Sequence, residues 1–219
     1  MRPFDVLSVT QRSPEWRRCR AGRLCASDAK DMLATIKSGE AAARRDLRLR
    51  LVVERLTGQP QDDVYVNGDM QRGIELEADA RLAYEVLTGR VVTEVGFLAH
   101  RELPAGYSPD GVVGQFERLV EIKVPRSATH LRYLEAAPAD IPTEHKAQLT
   151  HALWLTGVEA IDFFSFDPRF PDGLQTYLRT VTRADLSIDA FDRSIRAFLT
   201  EVDAELQQVQ ALTKKEQAA

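Results

Sequence analysis

The sequence predicts an α/β fold with a mixed central β-sheet flanked by helices. One observation is that short runs of β-branched and aromatic residues are bounded by turn residues, which is typical of strands. Another is that longer segments carry apolar residues at steps of three and four, which is typical of helices packed on one face. These helices fall before, between and after the strands, so we expect them to pack on a shared sheet.

The length of the chain favours a single domain. With 219 residues, it is long enough to bury a core and short for two ordinary domains. We therefore predict one domain over residues 1–219, with a frayed tail at about 213–219 where the apolar period stops.

Four helices follow from apolar periodicity and from the residues that bound them. Three should span about residues 40–56, 70–87 and 143–155. Each is followed by a Thr-Gly pair, and glycine suits this position because it takes the left-handed conformation at no steric cost. The fourth and longest should start behind an N-cap at Ser187, since its apolar residues keep a helical period: Ile188, Phe191, Ile195, Phe198, Val202, Leu206 and Val209.

Five strands are predicted from β-branched and aromatic runs. They cover residues 91–98, 112–113, 119–124, 161–167 and 174–182. The last two strands flank a short segment with proline and glycine, so they should form a hairpin.

Composition and charge exclude several classes of protein. The chain is 44% hydrophobic and 28% charged. No segment approaches the ~20 apolar residues of a membrane-spanning helix, and none resembles a signal peptide, so we expect a cytoplasmic location. A net charge of −4 argues against coating nucleic acid over the whole surface. Arginines concentrated in residues 12–23 and 44–55 still permit a local basic groove.

Two further chemistries are not expected. Cys19 and Cys25 have no partner Cys or His at metal-binding spacing, so we interpret them as reduced thiols. Two cysteines cannot supply the four thiolates of an iron–sulfur cluster. The G-x-x-x-x-G-K-[ST] phosphate loop is absent from the sequence, which argues against a nucleotide-driven motor.

The strongest chemical signal lies in residues 108–123, which we predict to form a tight hairpin. A turn centred between residues 115 and 116 places Asp110 opposite Glu121. Lys123, two residues further along the strand, lies on the same face. Two carboxylates and an ammonium then converge. An acid-x-Lys pattern is also typical of a salt-bridged surface hairpin, and this second interpretation stays open.

Paired acids of this kind indicate a metal site. Adjacent buried carboxylates repel unless a cation separates them, and hard oxygen ligands suit Mg²⁺, with Mn²⁺ as a substitute. Such an ion would activate a water and stabilise charge at a phosphate under attack. Lys123 would hold that water or neutralise the developing charge.

The same residues resemble a known nuclease signature. Pro109-Asp110, followed after ten residues by Glu121-Ile122-Lys123, resembles the PD-(D/E)xK motif, which implies a restriction-endonuclease-like core. As a whole, the chain is similar to the lambda-exonuclease family, also called the YqaJ-like viral recombinase family. The further motifs that carry this resemblance lie between about residues 11 and 157: Ser13-Pro14-Glu15-Trp16, Arg20, Gly22, Ala26-Ser27, Gly73 to Glu77, Ser108 to Gly111, Gln148 and Trp154-Leu155-Thr156.

The resemblance implies an activity and partners. Members of this family use Mg²⁺ to degrade one strand of linear double-stranded DNA from its 5′ end, which leaves 3′ single-stranded overhangs. They form ring-shaped trimers and work with a single-strand annealing protein in recombination. We therefore expect an exodeoxyribonuclease that acts on DNA ends as a homotrimer, encoded by a bacterium, a phage or a prophage.

The resemblance also implies roles for individual residues. By matched position, Asp110, Glu121 and the backbone carbonyl of Ile122 would bind the metal. Lys123 would position the attacking water. Glu77 would complete the acidic shell, directly or through a water.

Residues outside the hairpin complete the expected site. Periodicity places Glu77 beside the core-facing edge of its helix, and Gly73, one turn earlier, leaves room for an ion or a phosphate. A solvated acidic helix start is the other interpretation of Glu77. By the resemblance, Arg20 and Ser27 would bind a terminal 5′ phosphate through charge-assisted hydrogen bonds.

One helix contributes two more candidates. Gln148 and His145 share a helical face, from which they would touch the scissile strand or a ligand water. Trp16 and Trp154 are predicted to lie in the core. His151 departs from the family, in which this position is often aromatic.

Two other functions stay open. A PD-(D/E)xK endonuclease of restriction or resolvase type would share the acids and the lysine without needing Arg20, and cleavage of closed circular DNA would identify it. A non-catalytic DNA-binding module would keep only the fold. The presence of Asp110, Glu121 and Lys123 argues against such a module.

Overall fold

The computed structural model describes residues 2–61, 68–137 and 140–216. Its helices are α1 (Pro14–Arg20), α2 (Ala29–Met32), α3 (Ala42–Thr57), α4 (Gly68–Thr88), α5 (Ser127–Glu135), α6 (Thr143–Thr156) and α7 (Ile188–Glu216). Its strands are β1 (Phe4–Leu7), β2 (Leu24–Cys25), β3 (Val92–Thr93), β4 (Phe97–His100), β5 (Ala105–Tyr107), β6 (Gly111–Val113), β7 (Arg118–Lys123), β8 (Ala160–Phe166) and β9 (Thr176–Thr182).

The strands form two mixed sheets. The larger has the order β3-β6-β7-β8-β9, in which β7 and β8 run parallel and the other neighbours run antiparallel. The smaller has the order β1-β4-β5-β2, in which β5 and β2 run parallel. The α/β class with a mixed sheet flanked by helices is therefore confirmed, and the structure adds a second sheet.

The predicted strand at residues 91–98 is divided between the two sheets. β3 belongs to the larger sheet, whereas β4 starts at Phe97 and belongs to the smaller. Gly96 lies between them against the backbone carbonyls of Leu7 and Val9, where any Cβ would collide. The predicted strand is interrupted here because two backbone segments approach closely at Gly96. Hydrophobic periodicity contains no information about such an approach.

The helix ends follow their sequence signals. After α3, α4 and α6, Gly58, Gly89 and Gly157 have φ of 68°, 68° and 69°, so each takes the predicted left-handed conformation. α7 follows Ser187 and continues to Glu216, three residues past the predicted start of a frayed tail at 213, and the rest of that predicted tail, residues 217–219, lies outside the described residues. None of the helices in the described ranges is long and apolar enough to cross a membrane.

The elements missing from the sequence prediction are the strands β1, β2 and β5 and the helices α1, α2 and α5. The three strands have four, two and three residues, too few to show a clear alternation. Two of them pair with partners distant in the chain, since β2 lies beside β5 and β1 beside β4. The pairing of these strands thus depends on the tertiary structure and not on the local sequence.

Helices α4 and α6 cover opposite faces of the larger sheet. Tyr84 of α4 packs with Val120 and Ile122 of β7. Leu153 of α6 instead joins the core cluster that contains Leu119 of β7. Because side chains alternate along a strand, even-numbered residues of β7 face α4 and odd-numbered residues face α6.

A buried carboxylate ties α4 to three strands. Asp162 of β8 is fully buried and accepts hydrogen bonds from Tyr84 (2.7 Å), Arg90 (3.0 Å), Arg118 (2.8 Å) and Thr180 (2.6 Å). Burial, followed by the bond to Asp162, raises the pKa of Tyr84 to about 12. A charge this deep is tolerated because both of its oxygens are saturated by donors.

We expect Asp162→Ala to lower the free energy of unfolding by about 2–4 kcal/mol, because two partly exposed arginines lose their common partner. Tyr84→Phe removes one hydrogen bond and should cost about 1–2 kcal/mol. Denaturant unfolding of the purified proteins measures both changes. A loss below about 1 kcal/mol for Asp162→Ala would show that the network contributes little to stability.

Candidate active site

The hairpin of β6 and β7 has the predicted register. Gly111 pairs with Val120 and Val113 with Arg118, so continuation of the ladder sets Asp110 opposite Glu121. The turn between the strands contains two residues of positive φ, Gly114 (57°) and Phe116 (66°). The side chain of Asp110 accepts the backbone N–H of Ile122 at 2.7 Å, which fixes its carboxylate against β7.

Glu121 is held by donors from three elements. Its Oε1 accepts hydrogen bonds from Lys123 Nζ at 2.5 Å and from Gln148 Nε2 of α6. Its Oε2 accepts the hydroxyl of Tyr107 of β5 at 3.1 Å. The carboxylate is almost fully buried. It therefore has a fixed orientation before any ligand arrives.

The negative charges on Asp110 and Glu121 repel each other. Burial, followed by the charge of Glu121, raises the pKa of Asp110 to about 7. Burial also opposes the charge on Lys123, but Glu121 and Asp110 outweigh it and raise the pKa of that ammonium. Two carboxylates against one ammonium leave an excess of negative charge, so a further cation would stabilise the charged forms.

Asp110 opens onto a cleft of about 360 Å³ between α4 and β7. Asp110, Ile122 and Lys123 line one side, and Gly73 and Glu77 of α4 line the other. A Cβ added at Gly73 would meet no atom within 4 Å. The glycine therefore leaves open space where the sequence predicts room for an ion or a phosphate.

Glu77 faces this cleft but is already paired. Its Oε2 accepts a hydrogen bond from Arg12 at 2.5 Å and its Oε1 one from Arg81 at 3.2 Å. The buried face of α4 runs through Ala80 and Tyr84, which lie three and seven residues beyond Glu77. Leu87, ten residues beyond Glu77, is exposed, so the buried face of α4 does not extend to it.

The donor set fits a hard divalent cation. Asp110, Glu121 and the main chain of Ile122 lie on adjacent strands and offer oxygen atoms, the ligands that Mg²⁺ and Mn²⁺ prefer. Among the described residues, no three Asp, Glu, His or Cys side chains form a ready-made metal cluster. Because both oxygens of Glu77 are bonded to arginines, its contribution through a water fits better than direct ligation.

The two α6 candidates lie beside Lys123. Gln148 contacts Glu121, as described above. Burial, followed by the charge of Lys123, lowers the pKa of His145 to about 4, so its ring is neutral near pH 7. His145 also lines a second groove with Lys123, Arg132 and Tyr133, on the side of the lysine opposite to α4.

Arg20 and Ser27, expected to bind a phosphate, are brought together. The guanidinium of Arg20 donates to Ser27 Oγ at 3.2 Å and lies over the ring of Trp16 at 4.4 Å. Its Nε is buried and has no described hydrogen-bond partner. Trp16 in turn donates from its indole N–H to Ser108 at 2.7 Å, which connects this pair to the loop before Asp110.

Three residues that contact this arrangement were not among the predicted site residues, although Arg12 belongs to the arginine-rich run noted in the sequence. Tyr107 bonds Glu121, and Gln11 donates to the carbonyls of Val95 (2.9 Å) and Pro109 (2.8 Å), next to Asp110. Arg12 pairs with Glu77. Tyr107 lies directly before the Ser-Pro-Asp motif, so its place in the sequence was the one available clue.

His151 has a structural role. It is fully buried, and its Nε2 lies 3.0 Å from the carbonyl of Gly106 in β5. A carbonyl only accepts, so Nε2 carries a proton. Burial lowers the pKa of the ring to about 3, so the ring is neutral. Trp16 and Trp154 lie at the edge of the core, partly buried, and Trp154 donates to Asp192 at 2.8 Å.

Comparisons with known proteins agree on one family. The profile of the YqaJ-like viral recombinase domain matches residues 15–159. The crystal structure of LHK-Exo, an alkaline exonuclease from Laribacter hongkongensis, is similar over 93% of this chain and 99% of that chain, with 34% identity and a TM-score of 0.81. The structure of LHK-Exo in complex with dAMP has the same identity and coverage, with a TM-score of 0.82.

A more distant structure shows the fold alone. A phage related exonuclease from Haemophilus somnus 129PT is similar over 85% of this chain and 96% of that chain, with 15% identity and a TM-score of 0.62. The chain has no significant match among curated proteins.

The buried ring of His151 makes stability depend on pH. Burial lowers its pKa from 6.5 to about 3, so below pH 6.5 the unfolded chain binds a proton that the folded chain does not. At pH 5 this difference should cost about 2 kcal/mol relative to pH 8. We expect His151→Phe to remove that increment when unfolding is measured at both pH values. An unchanged pH dependence would contradict a neutral buried ring.

Proposed function

The chain belongs to the family of YqaJ-like viral recombinase domains, and from this we propose that it is an Mg²⁺-dependent 5′-to-3′ exodeoxyribonuclease. It is a nuclease of the lambda-exonuclease type. The observation that carries the proposal is the register of β6 and β7, which sets Asp110 opposite Glu121, while Glu121 bonds Lys123 and both Asp110 and Lys123 line one cleft. The proposed substrate is linear double-stranded DNA, and the proposed product is a duplex with 3′ single-stranded overhangs.

Asp110, Glu121 and the Ile122 carbonyl would hold the metal, with Glu77 bound through a water. When bound, Mg²⁺ supplies a more acidic water and stabilises charge on the phosphate under attack. Lys123 has three N–H donors, of which Glu121 accepts one. The others are available to orient a water or to donate to a phosphate oxygen.

Gln148 and Tyr107 keep the site ordered during this chemistry. Both bond Glu121, one at each carboxylate oxygen, so the acid keeps its orientation when substrate enters. His145 remains neutral beside Lys123 and adds no charge that would compete for the phosphate. The hairpin of β6 and β7 thus carries the charged groups, while β5 and α6 supply the hydrogen-bond donors that orient Glu121.

Arg20 and Ser27 would recognise the 5′ end. A terminal phosphate monoester carries more charge and more acceptor oxygens than an internal diester, and a guanidinium bonds it through two parallel hydrogen bonds. The buried Nε of Arg20 is a donor without a described partner, and the adjacent Ser27 hydroxyl is a second donor. Both would be satisfied by phosphate oxygens.

The family membership also supports the proposed partners. We propose a closed homotrimer around DNA, which would keep an enzyme without a motor attached through many cycles. We propose further that a single-strand annealing protein takes up the 3′ overhang during phage-type recombination. LHK-Exo was crystallised with dAMP, and a deoxynucleoside monophosphate is the product that stepwise exonuclease action would release.

Asp110→Asn and Lys123→Ala should remove nearly all nuclease activity, because each removes charge from the reacting centre. Asp110→Asn should not lower the melting temperature, since it relieves repulsion from Glu121. Glu117→Gln, an exposed acid in the turn of the same hairpin, is the matched control and should stay active. Linear duplexes labelled at each 5′ or 3′ end report the activity. Loss of 3′ label first, or substantial cleavage by folded Asp110→Asn, would contradict the proposal.

Recognition of the 5′ end is tested with phosphorylated and hydroxyl-ended duplexes. Wild type should digest 5′-phosphate ends faster. Arg20→Ala should lose that preference by about tenfold or more, since charge-assisted hydrogen bonds contribute about 1.5–3 kcal/mol each. Arg18→Ala, an exposed arginine on the same helix, should keep the preference. Equal wild-type rates on both ends would refute the phosphate pocket and favour an endonuclease.

A further inference from the structure

Arg12 has a backbone conformation that arginine rarely adopts. Its φ is 69°, in the left-handed region that favours glycine. It is the third residue of a β-turn in which the Ser13 N–H donates to the carbonyl of Thr10 at 3.1 Å. Such a conformation persists only where the surrounding structure imposes it, and such residues cluster at functional sites.

The surrounding contacts do fix this turn. Gln11 donates to the carbonyls of Val95 and Pro109, so the turn is bonded to the loop that carries Asp110. On the other side, the Ser13 hydroxyl caps α1 by accepting the N–H of Trp16 at 3.2 Å. The backbone of Arg12 is therefore held between the hairpin of β6 and β7 and helix α1, and these contacts set the direction of its side chain.

This direction sends the side chain into the mouth of the cleft. Arg12 lines the cleft shared with Gly73, Asp110 and Lys123, and it also lines the adjoining groove that contains Gly96. Its side chain is 50% exposed. The guanidinium thus lies at the junction of two open spaces beside the acids.

The pairing of Arg12 leaves most of its donors available. Within the part of the chain that the structure describes, Nη2 of Arg12 donates one hydrogen bond to Glu77, a carboxylate that also accepts a hydrogen bond from Arg81. A guanidinium has five N–H donors, and the exposed ones face water. An exposed pair of this kind contributes little to stability, so it does not account for the strained backbone.

Charge in the cleft explains what this arginine is suited to bind. Asp110 and Glu77 line the cleft and Glu121 lies opposite Asp110 in the hairpin, so these carboxylates oppose the entry of a DNA strand, which brings one negative charge per phosphate. A guanidinium at the entrance offsets this repulsion and can bond two phosphate oxygens together. Glu77 would hold the guanidinium in place until a phosphate replaces the carboxylate.

We propose that Arg12 is a substrate-binding residue that contacts a backbone phosphate of the DNA strand at the mouth of the cleft. The inference rests on the proposed function, because it requires DNA to occupy the site. It differs from the roles of Arg20 and Ser27, which would bind the terminal phosphate. Arg12 would bind an internal one, independently of whether the 5′ end is phosphorylated.

The test is DNA binding without cleavage. A fluorescent duplex oligonucleotide is titrated with protein by anisotropy at several salt concentrations, with Ca²⁺ in place of Mg²⁺, since Ca²⁺ takes the same oxygen ligands. Arg12→Gly is the variant, because glycine accepts the left-handed backbone and the fold survives. Arg12→Lys keeps the charge. Arg196→Ala is the control, an arginine of equal exposure paired with one carboxylate on α7.

Arg12→Gly should weaken binding by about tenfold or more, equally for 5′-phosphate and 5′-hydroxyl ends. The slope of log affinity against log salt should fall by about one, the value for one lost phosphate contact. Arg12→Lys should keep the wild-type slope, and Arg196→Ala should behave as wild type. Binding by Arg12→Gly with unchanged affinity and slope would overturn the inference. Absence of binding by wild type would instead overturn the proposed function.

A second comparison excludes a purely indirect role through Glu77. If Arg12 contacts DNA, Arg12→Gly should still weaken binding in a Glu77→Gln background, where the carboxylate has gone. If Arg12 acted only by orienting Glu77, the two substitutions would not add, and Arg12→Gly would change nothing in that background. The latter outcome would overturn the inference.

Discussion

The rest of the site depends on one constraint, which is that two carboxylates lie side by side with little access to solvent. Asp110 and Glu121 repel each other, and burial adds to the cost of both charges, as the raised pKa of Asp110 near 7 indicates. The fold meets this cost with donors brought from separate elements. The N–H of Ile122 bonds Asp110, while Lys123, with donors from β5 and α6, bonds Glu121. The remaining excess of negative charge is the physical reason for the metal ion that we propose at this site.

The architecture around the larger sheet serves this arrangement. α4 supplies the cleft wall, with Gly73 leaving space and Glu77 facing the acids. α6 lies on the other face and supplies Gln148. The Asp162 network bonds α4 to β7, β8 and β9 away from the site, so the cleft wall is anchored without using the catalytic acids. Stability and chemistry are thus carried by different buried carboxylates.

The segment before α1 connects the smaller sheet to this chemistry. Gln11 bonds the loop before Asp110, and Trp16 bonds Ser108 in that same loop. Through these bonds, the residues assigned to the DNA backbone and to the 5′ end are positioned relative to the acids. Arg12 and Arg20 flank this connection at the two ends of one short stretch. In the proposed function, the residues that would recognise DNA therefore lie in one segment, residues 11–20, that is hydrogen-bonded to the loop before Asp110.

The sequence by itself determined the features that depend on neighbouring residues. Glycines after three helices set the helix ends, and the spacing from Asp110 to Glu121 and Lys123 fixed the hairpin register, because a turn links those strands directly. Only the tertiary structure decided the second sheet, the break at Gly96, the bonds of Tyr107 and Gln11, and the pairing of Glu77 with Arg12. These depend on which distant segments meet. Which segments meet is decided by the packing of the whole core, and a local sequence pattern carries no information about that packing.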